Sequence, residues 1–193
     1  GLIEADWGKE PLYFKKVDII HPHAIAVSKE LLERYKVHPF TDAPPVRLYN
    51  QKDATGVMTN NFSFETDLKV GPHNAGNRCQ RVEVLVQSKN DIIIVPLVNP
   101  ACIGDIALAA GGFYTDSKRD DLSGFGCNLS EWTKLKIDCK EQQIRFLIND
   151  RLIYTTVIKN PPTEIVGVQY RFKGPGFVRN THLMGPGNKR IVF

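Results

Sequence analysis

Glu65 and Asp67 are one residue apart, and Glu83 lies on a second alternating segment further along. In extended chain, positions i and i+2 project from the same face. Carboxylates so placed could hydrolyse a glycosidic bond, which in the retaining mechanism needs an acid and a nucleophile about 5 Å apart. The plainer reading of Glu65 and Asp67 is the wet face of a strand. A broader set of planar polar side chains, Glu65, Asp67, Arg81, Glu83, Gln169 and Arg171, would suit the hydroxyls of a sugar. This requires the segments 61–70, 78–87 and 164–173 to be neighbours in one sheet.

The four cysteines, Cys79, Cys102, Cys127 and Cys139, lack the short paired spacings of a zinc site. A hairpin turning at Asn90-Asp91 sets Cys79 opposite Cys102. Facing positions of an antiparallel pair are close enough for a disulfide after small adjustment. A bridge there implies an oxidising compartment. Cys139 shares the inward side of its segment with Leu135 and Ile137. No cofactor is implied. Calcium is conceivable at Asp116, Asp120 and Asp121, although Lys118 and Arg119 share that loop. No nucleophile elbow or phosphate loop is present. His21, His23, His38, His73 and His182 read as loop or irregular residues.

The segments that carry these residues alternate with period 2. Phe62, Phe64, Thr66 and Leu68 share one side. Val82, Val84 and Val86 do the same, as do Val166, Val168, Tyr170 and Phe172. Leu129–Thr156 is a meander. In it, Leu135, Ile137 and Cys139 are followed by a polar turn, then by Ile144, Phe146 and Ile148, and Asn149-Asp150-Arg151 turns into Leu152-Ile153-Tyr154. Asp91–Val98 and Asp105–Gly112 are nearly all apolar, as strands covered on both sides are. Turn signals every 8–12 residues and almost no helix predict an all-β, two-sheet antiparallel sandwich. One jelly-roll domain is expected over 1–193, with a less regular N-terminal segment at 1–45. There Leu12–Ile20 is a weak strand, and Ser28–Tyr35 is a helical turn or a strand edge.

Trp132-x-x-Leu135-x-Ile137, followed by Ile144-x-Phe146-x-Ile148-Asn149-Asp150-x-Leu152, resembles the hairpin of the laminin-G-like and concanavalin A-like jelly-roll superfamily, with Asp150 where Gly is usual. The resemblance runs over roughly 46–183. The segments around Cys79, Cys102 and Asp121–Gly126 are also similar to lectin-type domains of Bacteroidetes surface proteins. The superfamily holds lectins, glucanases, lyases and adhesion modules, so the resemblance implies a fold more than an activity. Its glucanases carry E-x-D-x-E or E-x-D-x-x-E. Here Lys69 and Val70 stand at the third position, and Glu83 would have to substitute. Its lyases use R-x-E-x-R and Gln-x-His, whereas Arg81-Val82-Glu83-Val84-Leu85 departs from the first and the second is absent. Trp132, opening its strand, is expected in the core.

The chain has 193 residues and a formal charge of +4, with Lys and Arg scattered rather than run together. No basic stripe points to nucleic acid. The longest apolar run, Ile92–Val98, is far short of the ~20 residues of a membrane-crossing helix. No signal peptide is visible, but the chain opens Gly1-Leu2-Ile3 without Met, so the lack of a leader is no evidence for the cytoplasm. Together these readings describe a periplasmic or extracellular recognition module, free or membrane-anchored through a segment outside this sequence, with a glycan or a cell-surface protein as the expected partner. A glycoside hydrolase and a protein-binding adhesion domain are the alternatives.

Overall fold

Period-2 alternation in the sequence becomes two stacked antiparallel sheets in the computed structural model, which describes residues 3–5, 46–51, 55–71, 79–173 and 176–192. Strands β1 (Ile3–Ala5), β3 (Asn61–Val70), β8 (Thr133–Lys140), β9 (Gln143–Ile148), β10 (Arg151–Val157), β12 (Gly176–Gly185) and β13 (Lys189–Val192) form a seven-stranded sheet. Its order is β1-β12-β3-β8-β9-β10, and β13 also pairs with β12. The second sheet has six strands: β2 (Val46–Gln51), β4 (Arg81–Ser88), β5 (Ile92–Val98), β6 (Ala107–Ala110), β7 (Phe113–Asp116) and β11 (Ile165–Lys173). Its order is β2-β11-β4-β5-β6-β7. Helical structure among the described residues is confined to two 3-10 turns, Pro100–Asp105 and Ser123–Phe125. The expectations for Leu12–Ile20 and Ser28–Tyr35 lie outside the described residues.

The core fills the space between the sheets. Phe62, Phe64 and Leu68 of β3, Leu135 and Ile137 of β8, and Phe146 of β9 meet Val82, Val84, Val95, Leu97, Val168 and Phe172 of the other sheet, all buried. Burying each such side chain is worth about 1.5–3 kcal/mol. Cys139 is buried here too, as its position beside Leu135 and Ile137 predicts. Polar residues enter this space as a closed set. Tyr170 OH lies 2.8 Å from both Thr66 Oγ1 and Thr181 Oγ1, and the two threonines are 2.9 Å apart. A ring of three hydroxyls satisfies each member without water.

The meander has the expected turns. Glu141-Gln142 and Asn149-Asp150 all have positive φ, the conformation of a two-residue hairpin turn that matches strand twist. Asn149 ties its turn to β8, accepting at Oδ1 from the Lys134 N–H at 2.9 Å.

Cys79 and Cys102 are bridged, with Cα atoms 5.7 Å apart. The register that joins them differs from the expected one. Ser88 N–H donates to Asp91 O, so the β4–β5 turn centres on Lys89-Asn90, and Arg81 faces Val98. Cys102 therefore lies past the end of β5, in the 3-10 turn that folds the chain back toward Cys79. Asn99 caps that turn, accepting from the Ala101 N–H.

Candidate functional site

The six polar residues expected to form one face divide between two sheets. Glu65 and Asp67 lie on β3, in the seven-stranded sheet. Arg81 and Glu83 on β4, and Gln169 and Arg171 on β11, are neighbours in the other. Glu83, Gln169 and Arg171 are each about 1% exposed. Arg171 Nη1 is 2.8 Å from Glu83 Oε2, and Arg81 Nη2 is 3.1 Å from Glu83 Oε1. Gln87 Nε2 donates to Gln169 Oε1. Beside them Leu85, Ile92, Ile94 and Ala109 form a second buried apolar cluster. This side of the six-stranded sheet is thus interior at these residues, and its polar groups answer one another. Alternation cannot distinguish a polar residue that faces water from one paired with an opposite charge. Glu83 is also in the wrong sheet to complete a carboxylate set with Glu65 and Asp67.

The outer face of the seven-stranded sheet carries the groups that remain accessible. Its geometry comes from a bulge in β12. Asp67 faces Arg179 and Glu65 faces His182, so Asn180 and Thr181 together oppose Thr66. Asn180 takes φ of 53°, a left-handed conformation that Asn tolerates better than most residues. The extra residue sends Thr181 inward, onto the hydroxyls of Thr66 and Tyr170, and turns Arg179, Asn180 and His182 outward.

Each outward carboxylate is held by these residues. Asn180 Nδ2 donates to Asp67 Oδ2 at 2.7 Å, and Arg179 Nε lies 3.4 Å from the same oxygen. Lys136 Nζ is 3.4 Å from Glu65 Oε1, and His182 Nε2 is 3.4 Å from Glu65 Oε2. The other ring nitrogen of His182, Nδ1, is 3.1 Å from Asn180 O. Together Glu65, Asp67, Lys134, Asn180, His182 and Arg190 line a hollow of about 370 Å³. A second hollow of about 420 Å³ lies further along the same strands, lined by Ser63, Asp138, Lys140, Arg145, Met184 and Pro186 among others.

Trp132 belongs to this face and not to the core. Buried residues of β8 are Thr133, Leu135, Ile137 and Cys139, so the even-numbered positions point outward. Trp132 is half-buried, and the Arg179 guanidinium lies 3.8 Å from its ring centroid. Phe177 packs beside it, with ring centroids 6.4 Å apart. Arg179 is thereby held between an indole face and Asp67. The shared parity of Trp132, Lys134 and Lys136 was a visible signal of this placement. His182 and Asn180 gave no such signal, because the bulge that presents them depends on a backbone conformation.

In the Asp116–Gly126 loop the three candidate calcium ligands have local partners. Asp116 accepts from Lys118 N–H and pairs with Arg119, Asp120 accepts from Tyr154 OH, and Asp121 accepts from Ser123 N–H at 2.9 Å. The bonds from Ser123 hold the Asp121 carboxyl below its usual range. Among the described residues no group of three His, Cys, Asp or Glu side chains is placed to hold a metal ion. Nor does any helix there have the length and apolar character to cross a membrane.

No family model matches the sequence, and no curated protein does. Several solved structures are similar in shape. Carbohydrate-binding module CBM66 from Bacillus subtilis is 10% identical, with 71% of this chain and 81% of the module covered and a TM-score of 0.45. Galectin LEC-6 from Caenorhabditis elegans is 12% identical, covering 73% of this chain and 94% of the galectin, at TM-score 0.40. The alginate lyase AlgAT5, of polysaccharide lyase family 7, is 12% identical over 78% of this chain and 72% of the lyase, at TM-score 0.48. By its own sheet topology, the chain is an all-β, two-sheet antiparallel jelly-roll sandwich.

Proposed function

We propose that this protein is a recognition module that binds glycans on the outer face of its seven-stranded sheet, without cleaving them, outside the cytoplasm. The observation that carries the reading is the β12 bulge. It turns Arg179, Asn180 and His182 onto Asp67 and Glu65 and so builds an open, polar hollow with fixed donors and acceptors. Planar carboxylate, amide and guanidinium groups, already oriented by one another, match the paired hydroxyls of a sugar ring at little cost in side-chain ordering. Support for a non-hydrolytic role comes from the same contacts. Glu65 and Asp67 are each engaged by cationic partners, and Glu83 is interior to the other sheet. The Cys79–Cys102 bridge supports an oxidising compartment.

A glycan array and a reducing-sugar assay test this together. Binding is expected, with a loss of tenfold or more in Trp132→Ala, which frees Arg179, and no sugar release. Release that disappears in Glu65→Gln would make the protein a hydrolase. Neither binding nor release would leave a cell-surface protein as the partner.

A further inference from the structure

We infer that the glycan bound on this face is an anionic polysaccharide, with carboxylate or sulfate groups repeated along the chain. The inference rests on the glycan-binding reading and goes beyond it to the class of ligand.

The two hollows lie along one face of the same strands. Successive cross-strand rows contain Arg179, Asp67 and Lys134, then His182, Glu65 and Lys136, then Met184, Ser63, Asp138 and Arg145. From Asp67 to Asn61 the face extends about 20 Å along β3. That length accommodates several sugar units and is too long for one.

The charges on this face pair off almost completely. Lys134 pairs with Asp150 at 3.3 Å, Lys136 with Glu65 at 3.4 Å, Arg179 with Asp67 at 3.4 Å, and Arg145 with Asp138 at 2.7 Å. Every carboxylate in the two hollows is therefore already neutralised and offers no attraction to a cation. Two positive side chains are left over. Arg190, in the first hollow, and Lys140, in the second, make no ion pair among the described residues, and both are exposed. Each hollow thus retains one uncommitted cation.

In the second hollow, beside Lys140 in its lining, Ser63 Oγ is buried and has no hydrogen-bond partner among the described residues. Native structures leave few such groups, and a hydroxyl at the floor of a hollow can bond to a ligand that enters it. A neutral sugar would satisfy Ser63 but leave Arg190 and Lys140 without counter-charges. A polymer with an anionic group in each hollow answers all three. Arg in particular forms bidentate bonds to carboxylate or sulfate-like groups.

The test is affinity electrophoresis of the intact protein in gels containing polygalacturonate, dextran sulfate or unmodified dextran, with competition by duplex DNA. Polygalacturonate or dextran sulfate is expected to retard the protein, and the arm that does so tells carboxylate from sulfate ester. Retardation should fall as salt rises, because exposed charges are screened. Arg190→Ala and Lys140→Ala should each weaken it roughly tenfold, as loss of a charge-assisted hydrogen bond does. Lys118→Ala, in the loop after β7, should leave it unchanged. Both site variants alter exposed side chains and are expected to fold, which thermal melting checks. Equal retardation by unmodified dextran would overturn the anionic class and leave the glycan reading standing. Retardation by none of the three polymers, with a positive glycan array, would do the same. If the array is negative too, both fall. Duplex DNA that competes as well as the polysaccharides would also overturn the inference.

Discussion

Arg171 carries a full charge to a position where its side chain is 2% exposed, against a Glu83 side chain that is 1% exposed. The pair persists because each ion supplies what water no longer does. Removing one partner leaves the other charge buried, at a cost of about 3–5 kcal/mol. Arg171→Ala is therefore expected to lower the urea midpoint sharply, and a loss under ~1 kcal/mol would show that the site is wetter than the structure has it. Trp132→Ala is expected to cost only about 1–2 kcal/mol, since the ring is half-buried and gives up mainly its contact with Arg179. The expectation from sequence is the opposite pair of outcomes, with Arg171 outside and Trp132 inside. It errs at Arg171 because a paired charge and a solvated one leave the same period-2 trace. For Trp132 the trace was present, in the parity that sets it with Lys134 and Lys136 and against Leu135.

Strands themselves were largely readable. The segments with Phe62, Phe64 and Leu68, with Val82, Val84 and Val86, and with Leu135 and Ile137 all became strands with those residues inward. Which strands are neighbours was not readable, and so β3 was grouped with β4 and β11 although it lies in the other sheet. The bulge in β12 was also invisible, since it rests on one Asn with positive φ and on a hydroxyl ring contributed by two sheets. A further tie between elements involves Glu164, just before β11. It accepts from Gly56 N–H at 2.8 Å and pairs with Lys89, in the β4–β5 turn, at 2.6 Å. Lys89, then the Gly56 amide, hold the Glu164 carboxyl below its ordinary value of 4.5. Its folded pKa being the lower, Glu164 contributes stability in full above about pH 4.5, and this is lost as pH falls through the depressed folded value. Thermal melts between pH 6 and pH 3 should show wild type losing more stability than Glu164→Gln; parallel curves would contradict the tie.

At the scale of the whole molecule, the disulfide, the half-buried Cys127 thiol and the buried Cys139 thiol define the chemistry available to cysteine. Burial pushes the Cys127 thiol up to about 12 and that of Cys139 up to about 11. Neither provides thiolate near neutrality, so neither should react with iodoacetamide in the native protein at pH 8. Denaturation without reductant should then expose two thiols, and four would remove the Cys79–Cys102 bridge. The bridge was legible because the β4–β5 hairpin brings the two segments together, even though its turn is shifted by one residue and Cys102 is reached through a 3-10 turn.

The central claim is that the outer face of the seven-stranded sheet is where a glycan binds. Amide chemical-shift mapping during titration with a galacturonate oligosaccharide tests it most directly. The account predicts perturbations at Glu65, Asp67, Lys134, Asn180, His182 and Arg190, with little change at Leu85, Ile94 or Gln169 on the other sheet. Shifts concentrated in the Asp116–Gly126 loop or on the six-stranded sheet, with the β12 bulge unmoved, would contradict it.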